Sequence, residues 1–351
     1  MLHLLPFLLA CSNDPDPATT PDGTPPTETA DTASTSPTGD TATSGTTPTG
    51  TTATTGDTGT PLPTYDCSAI PPLTSTEVML EAPRGYNDVV FDLDGAMIGS
   101  NESSLIRATD PKTATILLPG VGQAYKFDIL PGGDIVMARA ASAGGGVLRV
   151  TAKGGQTLLA SGLLTHGLAV APDGFIWVAT NYTAGVEGLF RIDPDTDETE
   201  LILDASMAPP RDIAFHPDGD RLYWGTLSGG EIWAVDVDPK TFLPTGLPAQ
   251  VAQVPEAWHD TVEVDACGNL YVGSVFESAI YRVFTDGAVE LLIDWDFNSY
   301  GHGLSWGDAA GGWDEQAIYI AHPYVGSRVT ELHLGVPGAK WEGEALNAGR
   351  L

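Results

Sequence analysis

The chain has 351 residues and carries 46 acidic against 15 basic side chains, a formal net charge of −31. Residues 1–64 hold seven acidic residues and no Lys or Arg, so residues 65–351 keep 39 acidic against 15 basic residues, a charge of −24. Such a polyanionic domain repels phosphate backbones and anionic lipid headgroups, which excludes nucleic acids and bare membrane surfaces as partners.

The first eleven residues, MLHLLPFLLAC, form an apolar run that ends at Cys11. The run is too short to span a bilayer and has the position of a secretion signal. Its end, Leu-Leu-Ala-Cys, resembles the lipobox of bacterial lipoproteins, in which the cysteine becomes the lipidated first residue after cleavage. This resemblance implies an exported protein, lipid-anchored at Cys11 to the bacterial cell envelope, in the periplasm or at the cell surface.

Residues 12–64 form a separate segment of low complexity. Thr occupies 20 of these 53 positions, Pro, Gly, Ser, Ala and Asp fill most others, and Leu62 is the only large aliphatic residue. A segment with so little apolar surface cannot offset the entropy of ordering, so we expect a disordered linker. The folded domain is therefore predicted to span residues 65–351.

A turn motif recurs through this domain, each time as alternating apolar residues followed by a tight turn and a second run of β-formers. Copy three reads HGLAVAPDGFIWVAT. Successive copies are 38, 41, 45, 49 and 42 residues apart, and a period near 40 residues without helical segments is typical of propeller blades. The six copies begin at Asn87, Tyr125, His166, Arg211, Asp260 and His302.

Each copy divides into four short strands, which in copy three are HGLAVAP, FIWVATN, GLFRIDP and TELILDA. We therefore predict an all-β fold, a six-bladed β-propeller of four-stranded antiparallel blades preceded by the disordered Thr/Pro-rich linker. The outermost strand of blade six is either TEVMLEA, near residue 79, or KWEGEAL, near the C-terminus. We favour the first, which joins the two ends of the domain.

The motif G-L-A-V-x-P-D-G followed by I-W-V or L-Y-V resembles the regucalcin/gluconolactonase (senescence marker protein) type of six-bladed propeller and, more loosely, the NHL-repeat propellers. The resemblance covers most of residues 76–340. It is specific for the fold and carries little information about chemistry, because such propellers include lactonases, other hydrolases, lyases and binding proteins.

The first residue of each copy lies at the start of an innermost strand, so the six should meet at one end of the central channel. We call these six residues the polar ring, since none of them is aliphatic. Loops that join second to third strands reach the same end. A pocket for a small molecule is expected there. The residues expected to bind substrate are Arg211, Asn87, Asn181, Tyr182 and His322.

Two divalent-metal sites are compatible with the polar ring. The resemblance to metal-dependent lactonases implies three metal ligands: a Glu from blade one, an Asn from blade four and an Asp from blade five, which also serves as the base. Asp260 matches this Asp. Asn87 stands at the position of the Glu, and Arg211 stands at the position of the Asn. The second set is His166, Asp260 and His302, with His259 as a candidate further ligand; two imidazoles and a carboxylate form a first shell that suits zinc or iron. The candidate cofactor is one divalent ion, such as zinc, calcium or manganese. Tyr125 would then serve as acid or base, and Arg211 would bind a carboxylate.

A third interpretation needs no metal, because polar groups can satisfy one another in a water-filled channel. The corresponding functions are a hydrolase of small esters, lactones or sugar acids, a non-catalytic propeller that binds a small molecule or an envelope protein, and a metal-dependent lyase of the NHL-propeller type. We expect a monomer with no nucleic-acid partner that touches the membrane only through its lipid anchor. Cys67 and Cys267 are either paired in a disulfide or free.

Overall fold

The computed structural model describes residues 65–180, 186–255, 258–275, 278–295 and 301–339. The predicted signal segment with Cys11 and the predicted linker lie outside these residues. Within them, the chain forms six antiparallel sheets of four strands each, as predicted. No helix in the described ranges is long and apolar enough to cross a membrane.

Blades one to five each run from the innermost strand outwards in chain order. Blades one to three contain β2 (Val89–Phe91), β3 (Met97–Ser100), β4 (Leu105–Asp110) and β5 (Thr113–Leu118); β6 (Ala124–Ile129), β7 (Ile135–Arg139), β8 (Val147–Val150) and β9 (Gln156–Ala160); and β10 (Thr165–Val170), β11 (Ile176–Thr180), β12 (Gly188–Ile192) and β13 (Thr199–Asp204).

Blades four and five repeat this order. They contain β14 (Pro210–Phe215), β15 (Arg221–Thr226), β16 (Glu231–Asp236) and β17 (Ala249–Gln253), then β18 (His259–Val264), β19 (Leu270–Ser274), β20 (Ala279–Val283) and β21 (Val289–Asp294). Blade six contains β22 (Leu304–Trp306), β23 (Ala317–His322), β24 (Arg328–His333) and β1 (Val78–Met79). The first strands contact one another in a closed circle, β2, β6, β10, β14, β18, β22 and back to β2, which places them around the central axis.

Blade six is closed by the N-terminal end of the domain. Strand β1 pairs antiparallel with β24, with Val78 opposite Glu331 and Met79 opposite Thr330. The favoured prediction, closure by TEVMLEA, is therefore confirmed. The alternative strand, KWEGEAL, lies outside the described residues.

The hydrophobic core is divided into clusters that lie between neighbouring blades. Trp177 in β11 of blade three is fully buried and meets Phe215 of β14 edge to face, with ring centroids 5.8 Å apart. Because side chains alternate across each strand, every central strand buries both faces against adjoining blades. This inter-blade packing holds the innermost strands in fixed positions.

A disulfide joins Cys67 to Cys267, whose Cα atoms are 5.5 Å apart and which are separated by 200 residues. The sequence left this pairing open. The Tyr65 hydroxyl nearby donates a hydrogen bond to the carbonyl of Gly335 at 2.6 Å. The segment before β1 is therefore joined covalently to blade five, whereas β1 itself completes blade six.

Candidate functional site

Members of the polar ring occupy β-bulges at the start of the innermost strands. In the pairing of β6 with β7, β14 with β15 and β18 with β19, the register skips Tyr125, Arg211 and Asp260 respectively. In the pairing of β10 with β11 it skips His166 together with Gly167. A bulged residue has no partner across the ladder, and the local bend turns its side chain in a new direction. The same irregularity therefore occurs at the ring position in four blades.

Three ring residues meet around the carboxylate of Asp260. Its Oδ1 accepts hydrogen bonds from Arg211 Nε at 2.8 Å and Arg211 Nη2 at 2.6 Å. Its Oδ2 contacts Nδ1 of His302, and Nδ1 of His166 lies 4.0 Å from Oδ1. Only 3% of the Asp260 side chain is exposed. Blades three to six therefore place one carboxylate, one guanidinium and two imidazoles together at a site that is almost closed to solvent.

The environment fixes the charge of two members of this cluster. Burial alone would raise the pKa of Asp260, but His302 and Arg211 outweigh it and hold the pKa well below its usual value. For His166, burial followed by the charge of Arg211 lowers the pKa well below the usual value of an imidazole. The site thus combines an ionised carboxylate with a neutral imidazole at neutral pH.

Tyr125 and Asn87 extend this arrangement around the channel. The Tyr125 ring stacks on the imidazole of His166, with centroids 4.0 Å apart and planes inclined by 18°. Asn87 is buried, and its Nδ2 donates to the carbonyl of Ala124 at 2.8 Å. Tyr125 therefore belongs to the same contact chain as Asp260, whereas Asn87 joins blade one to blade two.

The predicted loop residues are placed differently. His322 ends β23 and is buried, with Nε2 2.8 Å from the hydroxyl of Thr330 in the adjacent strand. The rings of His322 and Trp295 also meet edge to face, with centroids 5.2 Å apart. These contacts hold the His322 side chain against Thr330 of blade six and against Trp295, which follows the last strand of blade five. Asn181 and Tyr182 lie outside the described residues.

Sequence reasoning missed the residue that follows each ring position. Asp88 and Asp212 follow the ring positions of blades one and four, and accept hydrogen bonds from the backbone N–H of Phe127 at 2.8 Å and of Val262 at 3.0 Å. These carboxylates tie blade one to blade two and blade four to blade five. The sequence does show an Asp after the first and the fourth ring residue. Its role could not be inferred from one blade, because its hydrogen-bond partner lies in the next blade.

The glycines in the two His-Gly pairs are explained by the same contacts. A Cβ on Gly167 would lie 2.4 Å from the Cα of Asp212, and one on Gly303 would lie 2.1 Å from Oδ1 of Asp88. Real Cβ atoms do not approach so closely, so a side chain at either position would force the neighbouring blade to shift. The same Asp–Gly contact therefore occurs twice, three blades apart.

The donor set around Asp260 does not fit a divalent cation. Arg211 occupies Oδ1 and His302 contacts Oδ2, so both oxygens that would bind a metal already face N–H groups or cationic side chains. The fixed charge of the guanidinium lies where a cation would have to bind. Among the described residues, no group of three or more His, Cys, Asp or Glu side chains has the geometry of a metal site.

Residues 165–296 match the family model described as the SMP-30/Gluconolactonase/LRE-like region. No curated protein sequence matches the chain. Among solved structures, a gluconolactonase from Xanthomonas campestris superposes with a TM-score of 0.60 at 17% identity, covering 78% of this chain and 96% of the other. A calcium-binding protein, regucalcin, from Agrobacterium tumefaciens gives 0.59 at 16% identity, covering 75% and 95%.

A virginiamycin B lyase from Staphylococcus aureus is a more distant match, with a TM-score of 0.51 at 16% identity, covering 70% of this chain and 79% of the other. At these identities the solved structures show the fold alone. Together with the family match over blades three to five, they confirm the predicted resemblance to gluconolactonase and regucalcin propellers. The resemblance to lyase propellers is looser, as predicted for NHL-type folds.

Proposed function

We propose that the chain is a hydrolase of small esters or lactones whose general base is His302, oriented by Asp260. The observation that carries the proposal is the contact of a buried, ionised Asp260 with Nδ1 of His302. A carboxylate on Nδ1 selects the tautomer whose lone pair is on Nε2, which is the nitrogen able to take a proton from water.

The neighbours of the pair supply the remaining roles. Arg211 places a guanidinium beside Asp260, and its positive charge stabilises the oxyanion that forms when water attacks the acyl carbon. The neutral imidazole of His166, stacked on Tyr125, forms a wall of the site, and the Tyr125 phenol donates a proton to the leaving alkoxide. Asp260 has too low a pKa to act as a base itself, so its role changes from the base predicted from the sequence to an orienting group.

The comparisons support this reaction class. The Xanthomonas campestris protein is a gluconolactonase, and the Staphylococcus aureus lyase is described as catalytically inactive when one histidine is replaced by alanine. The first observation favours lactone hydrolysis, and the second favours an essential histidine in a propeller of this fold. The regucalcin neighbour is a calcium-binding protein, so a metal-dependent reaction is the competing hypothesis.

The test is hydrolysis of δ-gluconolactone and p-nitrophenyl acetate by wild type, His302→Gln and Asp260→Asn. We expect both variants to lower kcat by about 10²- to 10⁴-fold, since they remove the base or its tautomer control. The matched control is His333→Gln, because His333 Nδ1 also pairs with a carboxylate, Asp314 at 2.6 Å, but on the exposed outer part of blade six. Its activity should equal that of wild type.

Chelation and elemental analysis separate the two mechanisms. Activity of the proposed hydrolase survives EDTA, and the purified protein carries no stoichiometric zinc, calcium or manganese. Loss of activity in EDTA, with a bound metal that disappears in Asp260→Asn, would establish the metal-dependent alternative. Binding without turnover of either substrate class would instead favour the non-catalytic propeller, a possibility that a Bacteroides ovatus structure described as an auxiliary nutrient binding protein also exemplifies.

We also propose that the domain acts outside the cytoplasm, held by lipid at Cys11 through the linker. The Cys67–Cys267 disulfide supports this location, since such bonds persist in oxidising compartments. Mass spectrometry of the mature N-terminus tests it directly. A diacylated cysteine at position 11 is expected, and an intact Met1 would contradict the proposal.

A further inference from the structure

A cavity lies at the end of the channel opposite the polar ring. This far-end cavity has a volume of about 630 Å³, within the range of small-molecule sites. Its wall comes from the ends of the innermost strands and the turns that follow them, such as residues 129–131 and 170–172, whereas the polar ring lies at the strand starts. The cavity is therefore separate from the Asp260 cluster.

The interior end of this cavity holds one cation among several carboxylates. Lys126 is 6% exposed, and its Nζ lies 2.9 Å from Glu263 Oε1, 3.3 Å from Asp212 Oδ2 and 3.8 Å from Asp88 Oδ1. The hydroxyl of Thr261, at 3.4 Å, is its remaining neighbour. Lys126 and Glu263 both line the cavity, and so does Asp128. One ammonium group thus faces an excess of negative charge.

Lys126 alone does not offset this excess of carboxylates. Oδ1 of Asp88 and Oδ1 of Asp212 are buried and accept no hydrogen bond among the described residues, although Oδ1 of Asp88 keeps its contact with Lys126 and neither aspartate lines the cavity. Burial, opposed by Lys126 and reinforced by Asp212 and Asp128, raises the pKa of Glu263 to about 7. Burial also raises the pKa of Asp88 well above its usual value. A further positive charge beside Glu263 would stabilise the ionised form of its carboxyl group.

Much of the remaining wall is apolar, although Asp92, Ser305 and Asp308 also line the cavity. Half-buried Val90, Ile129, Val170 and Trp306 line the cavity and present hydrocarbon or aromatic surface to it. Glu263 is the most accessible of the carboxylates around Lys126, with 25% of its side chain exposed. A ligand that enters from the open end therefore meets a largely apolar wall, with the carboxylate of Glu263 at its base.

We propose that the far-end cavity binds an organic monocation, a primary ammonium group on a small apolar body, with the ammonium held by Glu263 and Asp128. A compact ammonium has three N–H donors for carboxylate oxygens, and its apolar part fits the wall formed by Ile129, Val170 and Trp306. The site is independent of the proposed hydrolase, which lies at the other end of the channel.

Isothermal titration of the full chain with 2-phenylethylammonium chloride tests the proposal, with 2-phenylethanol and 3-phenylpropanoate as neutral and anionic analogues. The cation should bind at least ten times more tightly than either analogue. Its Kd should rise by up to about tenfold per pH unit as the pH falls below 7, because protons compete with the ammonium for Glu263. Equal affinity for the three compounds, absence of binding by the cation, or a Kd independent of pH between 5 and 8 would each overturn it.

Two variants locate the binding. Glu263→Gln should weaken binding of the cation at least tenfold, whereas Glu198→Gln, on an exposed turn of blade three, should leave it unchanged. Asp260→Asn should also leave it unchanged, which distinguishes this site from the polar ring. An unaltered Kd in Glu263→Gln contradicts the assignment. If Glu263→Gln fails to fold, the analogue and pH series on wild type decide the question alone.

Discussion

At the scale of single residues, the neighbouring blade decides what each position can hold. Glycine is needed at position 167 because Asp212 of the next blade lies against it. Glycine is needed at position 303 because Asp88 of the next blade lies against it in the same way. Asp88 and Asp212 are in turn fixed by the backbone N–H groups they accept from. The close contact between each glycine and the aspartate of the next blade therefore also fixes the position of the histidine that precedes the glycine.

This placement predicts a large effect from a single methyl group. Gly167→Ala brings a Cβ within 2.4 Å of the Asp212 backbone, and we expect the free energy of unfolding to fall by about 2 kcal/mol or more. The measurement is urea denaturation followed by tryptophan fluorescence.

Gly132→Ala is the matched control, because no atom lies within 4 Å of the added methyl group. Its free energy of unfolding should change by less than about 0.5 kcal/mol. Equal stability of the two variants would contradict this prediction, because it would show that blade four can move away from Gly167.

The composition of the polar ring could be read from the sequence, whereas its contacts could not. Aligning six copies on their turns is enough to bring His166, Asp260 and His302 to one level of the channel. It does not tell whether Arg211 points at the carboxylate or away from it, since that depends on the bulge in β14. The choice between a metal ligand and an ion pair at Asp260 therefore required the structure.

At the scale of strands and turns, alternation and turn residues were sufficient to predict the blades. The third strand of blades one to three carries an Arg that pairs with the Asp of the turn between the first two strands. This pairing was not anticipated, because the two residues are 15 to 18 positions apart and only the folded hairpins bring them together. The pairs are Arg107–Asp92 at 2.7 Å, Arg149–Asp134 at 2.7 Å and Arg191–Asp173 at 2.6 Å.

These pairs should stabilise the blades modestly. For Arg149 and Asp134, whose side chains are 30% and 17% exposed, a double-mutant cycle with Ala and Asn should give a coupling free energy of about 0.5–1 kcal/mol. The pair Arg221–Asp236, at 2.8 Å but 44% and 63% exposed, should give a value near zero.

The measurement is the free energy of unfolding of the four proteins in each cycle at low and at 0.5 M salt. The Arg149–Asp134 coupling should be reduced at high salt. If the Arg149–Asp134 coupling is as weak as the Arg221–Asp236 coupling, solvent screening already cancels the attraction between the two charges.

At the scale of the whole molecule, the propeller is a ring that must be fastened where its ends meet. Blades one to five are each made from one continuous stretch of chain, but blade six needs β1 from the other end of the domain. Two residues of β1 pair with β24, and this fastening is extended by hydrogen bonds from the backbone N–H groups of Leu80 and Gly85 to the carbonyls of Val329 and Ser327. The disulfide from Cys67 to Cys267 continues it past blade six to blade five.

Reduction should therefore loosen the whole ring. Closing a loop of 200 residues is worth about 5 kcal/mol in the chain-entropy description, and at about 2–4 °C per kcal/mol we expect TCEP to lower the Tm by about 10 °C or more. Calorimetry with and without TCEP measures the shift. The Cys67→Ser/Cys267→Ser variant should melt at the lower temperature and show no response to TCEP, because the remaining Cys11 lies outside the folded domain predicted from the sequence. A Tm that TCEP leaves unchanged in wild type would show instead that β1 and the inter-blade core hold the ring closed without the covalent bond.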